Sequence, residues 1–91
     1  MKLSRQEIGN ALTRFPGWGW ENEALVKTFS FSTYMEGVQF AVRVAEEAER
    51  LDHHPDMLIS YRTVTLTCTT HDAGGVTERD VALIERIERL L

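Results

Sequence analysis

Three histidines occur in this 91-residue chain, and all of them lie between Glu49 and Asp80. His53 and His54 stand in Asp52-His53-His54-Pro55, and His71 precedes Asp72-Ala73-Gly74-Gly75. An imidazole titrates near pH ~6.5, so it can give or take a proton at neutral pH. Carboxylates at Glu49, Asp52, Asp72 and Asp80 are close in sequence. Such groups at the ends of two elements make a candidate proton-transfer site, with His53, His54 and His71 as its working groups. Zinc would use the same residue types. Adjacent histidines on an extended segment point apart, however, and chelate one ion poorly, so no metal is expected. Taken singly, each residue has a plainer use: His53 as a helix C-cap, His71 in a turn, Glu49 on a wet helix face, Asp80 as a helix cap. Their joint register favours a site.

The elements that must hold these residues follow from local pattern. Ser4-Arg5-Gln6-Glu7 fits a capping box, and Ile8, Ala11, Leu12 and Phe15 follow at helical spacing. The expected first helix covers residues 4–14 and stops at Pro16-Gly17. Trp18-Gly19-Trp20 leads into a short strand, Glu21-Asn22-Glu23 turns, and residues 24–31 alternate as a second strand. Trp18 and Trp20 read as packing groups. Ser32-Thr33 caps a second helix running to about Leu51, with Tyr34, Val38, Ala41, Ala45 and Ala48 as its inner stripe, widened by Val44 and Leu51. Gly37 in that helix costs ~1 kcal/mol of propensity, which close packing would explain.

Pro55 bars continuation of the helix and biases His54 toward extended geometry. The histidine pair therefore falls on the helix exit, with Glu49 one turn before His53 and placed to orient it. Residues 57–62 and 63–70 read as two strands. Val64, Leu66 and Cys68 alternate with Thr63, Thr65, Thr67 and Thr69, so continued alternation puts His71 on the threonine face. Tyr61 reads as core or interface. Thr77-Glu78-Arg79-Asp80 caps a third helix with Val81, Ile84, Ile87 and Leu91 inside. The order α-β-β-α-β-β-α with local hairpins predicts an α+β, two-layer fold: a four-stranded antiparallel sheet with three helices on one face.

Composition narrows the function classes. Residues 1–91 are short enough for a single domain, which buries only ~60–65% of its unfolded surface, so an oligomer would help. The net charge is −4 and the ten basic residues are scattered, which argues against direct nucleic-acid binding. Cys68 is the sole cysteine and reads as a small buried hydrophobe. No run approaches the ~18–20 apolar residues of a membrane span, and the first six residues lack the apolar core of a signal peptide. A cytoplasmic protein without membrane contact is expected.

The spacing Glu49-x3-His53-His54-Pro55-x5-Tyr61-x9-His71-x8-Asp80 resembles the signature of the pterin-4a-carbinolamine dehydratases. Pro16-Gly17-Trp18, Phe29-Ser30-Phe31, Val44-Ala45-Glu46-Glu47-Ala48-Glu49, Thr70-His71-Asp72-Ala73-Gly74-Gly75 and Thr77-Glu78-Arg79-Asp80 are similar to that family too. The resemblance spans about residue 16 to the C-terminus. It implies a homodimer or homotetramer and a hydro-lyase acting on a small-molecule pterin. Such an enzyme expels water from 4a-hydroxytetrahydropterin to give quinonoid dihydropterin, recycling the cofactor of aromatic amino-acid hydroxylases without a cofactor of its own. By resemblance, His53 and His71 are the proton-transfer pair. His54 contacts the pterin and helps expel hydroxide. Asp52, Thr69, Thr70 and Asp72 line the pocket with the histidines, while Glu49, Pro55 and Asp80 support it. The same pocket would also suit another pterin or molybdopterin pathway. Mammalian members additionally serve as dimerisation cofactors of a transcription factor, but no residue here marks such an interface.

Overall fold

The computed structural model describes residues 1–91. Helix α1 spans Arg5–Arg14, β1 Gly19–Glu21, β2 Ala24–Ser30, α2 Tyr34–Leu51, β3 Asp56–Ile59, β4 Thr63–Cys68 and α3 Glu78–Glu88. A single 3-10 turn at His71–Ala73 precedes α3. Apart from that turn, the order is the expected one. Every α-helix begins on a capping box, Ser4 with Glu7, Thr33 with Glu36 and Thr77 with Asp80, so each start is fixed by its own first turn. Asn22 and Glu23, both at positive φ, make the two-residue turn of the first hairpin.

The strands form one antiparallel sheet in the order β1-β2-β4-β3. The central pairing sets Leu25 opposite Cys68 and Phe29 opposite Val64. Because side chains alternate along a strand, Leu25, Phe29, Val64, Leu66 and Cys68 share one face, and all are buried. Phe40, Val44 and Ala48 of α2 and Leu83, Ile84 and Ile87 of α3 join them in one core, to which α1 adds Ile8. Burying each large side chain is worth about 1.5–3 kcal/mol. Trp18 packs edge-on to Phe29 and donates its indole N–H to Glu88, in keeping with a packing role. The Cys68 thiol is pushed well above its usual range by burial, then by the charges of Asp80 and Asp56. It is an inert core residue.

The helix faces are rotated from the expected stripes. In α2 the buried line runs through Gly37, Phe40, Ala41, Val44 and Ala48, whereas Tyr34 is exposed and Val38 and Ala45 are half-buried. Phe40 and Val44 offer more apolar area than the alanines, and this decides the rotation. Gly37 does permit close packing: a Cβ there would stand 3.3 Å from Val64 Cγ2. In α3, Leu83 replaces Leu91, which lies beyond the helix and in solvent.

The second hairpin is also shorter than expected. Ser60 N–H bonds the Thr63 carbonyl at 2.9 Å and closes a turn through Tyr61 and Arg62. Strand β4 ends at Cys68, because Thr70 turns to bridge Gly75. His71 consequently does not continue the threonine face. No helix is long and apolar enough to cross a membrane.

Candidate active site

The site begins where α2 stops. Asp52 adopts the left-handed conformation (φ 51°, ψ 44°). His53 N–H then bonds the Ala48 carbonyl at 3.0 Å, and Asp52 N–H bonds that of Glu49 at 3.2 Å. This pair of bonds is a Schellman ending. It reverses the chain within one residue and sends the two histidines in different directions.

His53 turns inward. Its Nε2 lies 2.6 Å from Asp80 Oδ1, with side-chain exposures of 9% and 0%. Asp80 is the third residue of α3 and the far half of its capping box. Its Oδ2 accepts from the Thr70 hydroxyl at 2.8 Å and from the Thr77 backbone N–H at 2.9 Å. Thr70 Oγ1 is also 2.8 Å from Thr77 Oγ1. The directions follow from donor and acceptor chemistry. A carboxylate only accepts, so His53 Nε2 carries a proton. Thr70 donates to Asp80, so it accepts from the Thr77 hydroxyl, whose oxygen takes the Arg79 N–H. His53 Nδ1 has no intramolecular partner. Trp20 Nε1 is the one buried side-chain nitrogen or oxygen lacking a hydrogen bond, so His53 Nδ1 reaches solvent.

His54 turns outward. Its Nε2 lies 2.5 Å from Glu49 Oε2, with side-chain exposures of 54% and 76%. The expectation that Glu49 would orient His53 is therefore corrected. The left-handed Asp52 rotates His53 away from the helix face that Glu49 occupies, and the next residue takes its place.

His71 stands on the 3-10 turn, exposed and without a side-chain hydrogen bond. That turn is held by the Thr70–Gly75 bridge and by Gly74 at φ 75°, a conformation glycine adopts without steric cost.

These pieces meet around a cleft of about 280 Å³. Asp52, His53 and His54 border it from the end of α2, and Thr69, Thr70, His71 and Asp72 from the segment after β4. All seven expected lining residues are thus brought together. Asp80 stands behind His53 and Glu49 behind His54, outside the cleft wall; Pro55 is half-buried just before β3. The hydroxyls of Thr70 and Thr69 are already engaged, the latter with the Glu23 carbonyl at 2.8 Å, so these residues serve the site chiefly by holding it in shape.

Sequence reasoning passed over Arg79. It borders the cleft and donates from Nη2 to the Asp52 carbonyl at 2.5 Å, tying α3 to the end of α2. Its one signal was its place beside Asp80 within the capping segment. The cleft gathers three imidazoles, one backed by a buried carboxylate, which are the group types that general acid–base chemistry uses.

Comparison with known proteins points to a dehydratase family. Residues 1–90 match the family model described as pterin 4 alpha carbinolamine dehydratase. A protein of Thermomicrobium roseum, provisionally named a pterin-4-alpha-carbinolamine dehydratase, is 45% identical over 98% of this chain and 96% of its own. One from Sulfolobus acidocaldarius with the same provisional name is 41% identical over 99% of both. The crystal structure of a transcriptional coactivator/pterin dehydratase from Brucella melitensis superposes with a TM-score of 0.93 at 32% identity, covering 98% and 97% of the two chains. A pterin dehydratase-like RuBisCO assembly factor of the alpha-carboxysome shares the fold alone, at 22% identity and a TM-score of 0.65. The chain belongs to the pterin-4a-carbinolamine dehydratase family.

Proposed function

We propose that this protein dehydrates 4a-hydroxytetrahydropterin by histidine acid–base catalysis and so recycles the pterin cofactor of aromatic amino-acid hydroxylases. The observation that carries the reading is the His53–Asp80 pair, whose buried carboxylate takes the Nε2 proton and leaves Nδ1 toward the cleft. In this reading Nδ1 accepts the proton from the pterin N5. The N5–C4a double bond forms as the C4a–O bond breaks. The departing hydroxide takes a proton from His71 and leaves as water, and the product is the quinonoid dihydropterin. Asp80 stabilises the imidazolium formed on His53, as the carboxylate of a catalytic triad does. His71, free of internal hydrogen bonds, exchanges its proton with solvent between turnovers. His54, braced by Glu49, contacts the pterin ring. The site residues are those expected from sequence, with Arg79 added, and neither metal nor cofactor takes part.

Strand β3 supports a homodimer or dimer of dimers. It pairs only with β4, and its outer edge carries Met57, Leu58 and Ile59 in solvent. An exposed apolar edge of this kind invites strand addition. Sedimentation velocity of wild type and of Leu58→Lys checks it; a monomeric wild type would remove the proposal. The expected setting is cytoplasmic, with the chain acting as one domain.

The function is tested by stopped-flow absorbance of freshly generated 4a-hydroxytetrahydropterin after EDTA treatment. The expected result is acceleration that survives the chelator and falls by roughly 10²–10⁴-fold in His53→Gln or His71→Gln. No acceleration by folded protein would overturn the reading.

A further inference from the structure

The imidazole of His71 makes no internal hydrogen bond, unlike those of His53 and His54. Its position is set by the loop that carries it, from Thr69 to Gly75. Within that loop the Ala73 and Gly74 N–H groups bond the Thr70 carbonyl at 3.1 and 3.0 Å, and Thr70 bridges Gly75. These bonds fix the loop's shape. The Thr70 hydroxyl, on Asp80, anchors its inner side. One anchor leaves a loop free to pivot about it.

A second anchor comes from the β1–β2 turn, where Glu23 meets both ends of the loop. At the entry, its backbone carbonyl accepts the Thr69 hydroxyl at 2.8 Å, just past the last β2–β4 pair of Leu25 with Cys68. At the exit, its Oε1 lies 2.9 Å from the point that a Cβ on Gly75 would occupy. Lys2 Cδ lies 2.7 Å from the same point, and Lys2 Nζ is 3.7 Å from Glu23 Oε1. The Leu3 N–H bonds the Val76 carbonyl at 2.8 Å and fixes the backbone beside Lys2. Gly75 does not have a positive φ. Glycine is required there by this close approach.

Glu23 is a costly residue for its place. Asn22 and Glu23 have φ of 51° and 62°, and a two-residue turn with two positive angles favours glycine at its second position. The carboxylate finds its one ion-pair partner outside the hairpin, in Lys2. An unfavourable backbone angle beside a site points to a use. We infer that Glu23 is a positioning residue, which clamps both ends of the Thr69–Gly75 loop and so holds the His71 imidazole in register with His53. This inference rests on the dehydratase reading above, in which His71 protonates the departing hydroxide.

Glu23→Gly separates positioning from stability, because it relieves the turn while removing the clamp on Gly75. The expected result is a Tm no lower than that of wild type, with kcat reduced roughly three- to thirtyfold, inside the ~100-fold that a 1 Å misplacement can cost. KM stays within about twofold. Glu23→Gln keeps the length of the side chain and retains kcat within about twofold, since the exposed pair with Lys2 is worth little. Thr69→Val removes the other contact and lowers kcat to a similar degree, and Thr69→Ser restores it. Double-mutant cycles read the route: Glu23→Gly lowers kcat as much in His53→Gln as in wild type, and causes no further loss in His71→Gln. Independently of turnover, exchange of the Thr70 and Gly74 amides quickens at least about fivefold in Glu23→Gly.

Turnover unmoved by both Glu23→Gly and Thr69→Val, or an equal further loss in His71→Gln, would overturn the positioning role. A Tm that falls with kcat and is recovered by neither conservative variant would overturn it as well. Failure of folded wild type to accelerate the dehydration would instead remove the reading beneath it. Amide exchange then decides the clamp alone, and unchanged exchange in Glu23→Gly overturns it.

Discussion

His53 and His54 are neighbours in the chain, and each has a carboxylate within 2.6 Å. The two pairs nevertheless differ in kind. His53 and Asp80 stand 27 residues apart in the chain and are buried apart from the cleft-facing side of the imidazole, with Thr70 and Thr77 completing the carboxylate's partners. His54 and Glu49 are five residues apart and mostly exposed. The first pair belongs to the fold: its geometry is fixed by α2, α3 and the turn after β4 together. The second is solvated at both ends and screened by salt. Burial, rather than distance, therefore separates a histidine whose proton is fixed in place from one that is merely accompanied.

Asp80→Ala should produce the largest effect, since it leaves His53, Thr70 and the Thr77 amide without their acceptor. Leaving a buried donor without its acceptor costs about 1–3 kcal/mol. Urea denaturation measures that loss, and kcat should fall by at least roughly tenfold at temperatures where the variant remains folded. A variant of wild-type stability would show that the network contributes nothing to the fold.

Asp52→Gly probes the hinge that separates the two histidines. A non-glycine residue in left-handed geometry costs roughly 1 kcal/mol, so the glycine variant should gain up to about that much with the helix ending intact. A loss of stability would show that the Asp52 side chain matters more than its backbone angle.

Glu49→Gln should cost less than about 1 kcal/mol, as exposed ion pairs generally do, and change kcat by no more than about threefold. A larger fall in kcat would place His54 and Glu49 on a par with the buried pair and break the distinction drawn here.

The smallest effect concerns Glu7, an exposed carboxylate like Glu49 but one locked in a capping box. The Ser4 backbone N–H, then the Ser4 hydroxyl, hold its carboxyl below the usual 4.5. A depressed carboxyl stabilises the fold above its unfolded value and loses that contribution as pH falls through its folded value. Glu7→Gln should therefore flatten the acid limb of Tm against pH below about 4.5 and leave the neutral region little changed.

Much of the fold was legible because it is local. Capping boxes lie within four residues, helix and strand periods are read directly, and Pro55 halts α2 where expected. The faces of α2 and α3 were harder. Several apolar stripes coexist on each helix, and the choice falls to whichever side chains the sheet can bury, Phe40 and Leu83 among them. Of the site, the lining residues were legible and their pairings were not. Helical spacing pointed to Glu49 as the partner of His53, and nothing in the capping segment Thr77-Glu78-Arg79-Asp80 marked Arg79 as a neighbour of Asp52.

The sequence alone determined the residues available for proton transfer, the elements that carry them and the points where those elements begin and end, since these depend on short-range sterics and hydrogen bonding. Tertiary structure alone decided which carboxylate each imidazole meets. That choice turns on the left-handed Asp52, which swings adjacent side chains apart, and on the docking of α3 against α2 and β4, which carries Asp80 across the core to His53. No pattern of neighbours in the chain encodes that distance.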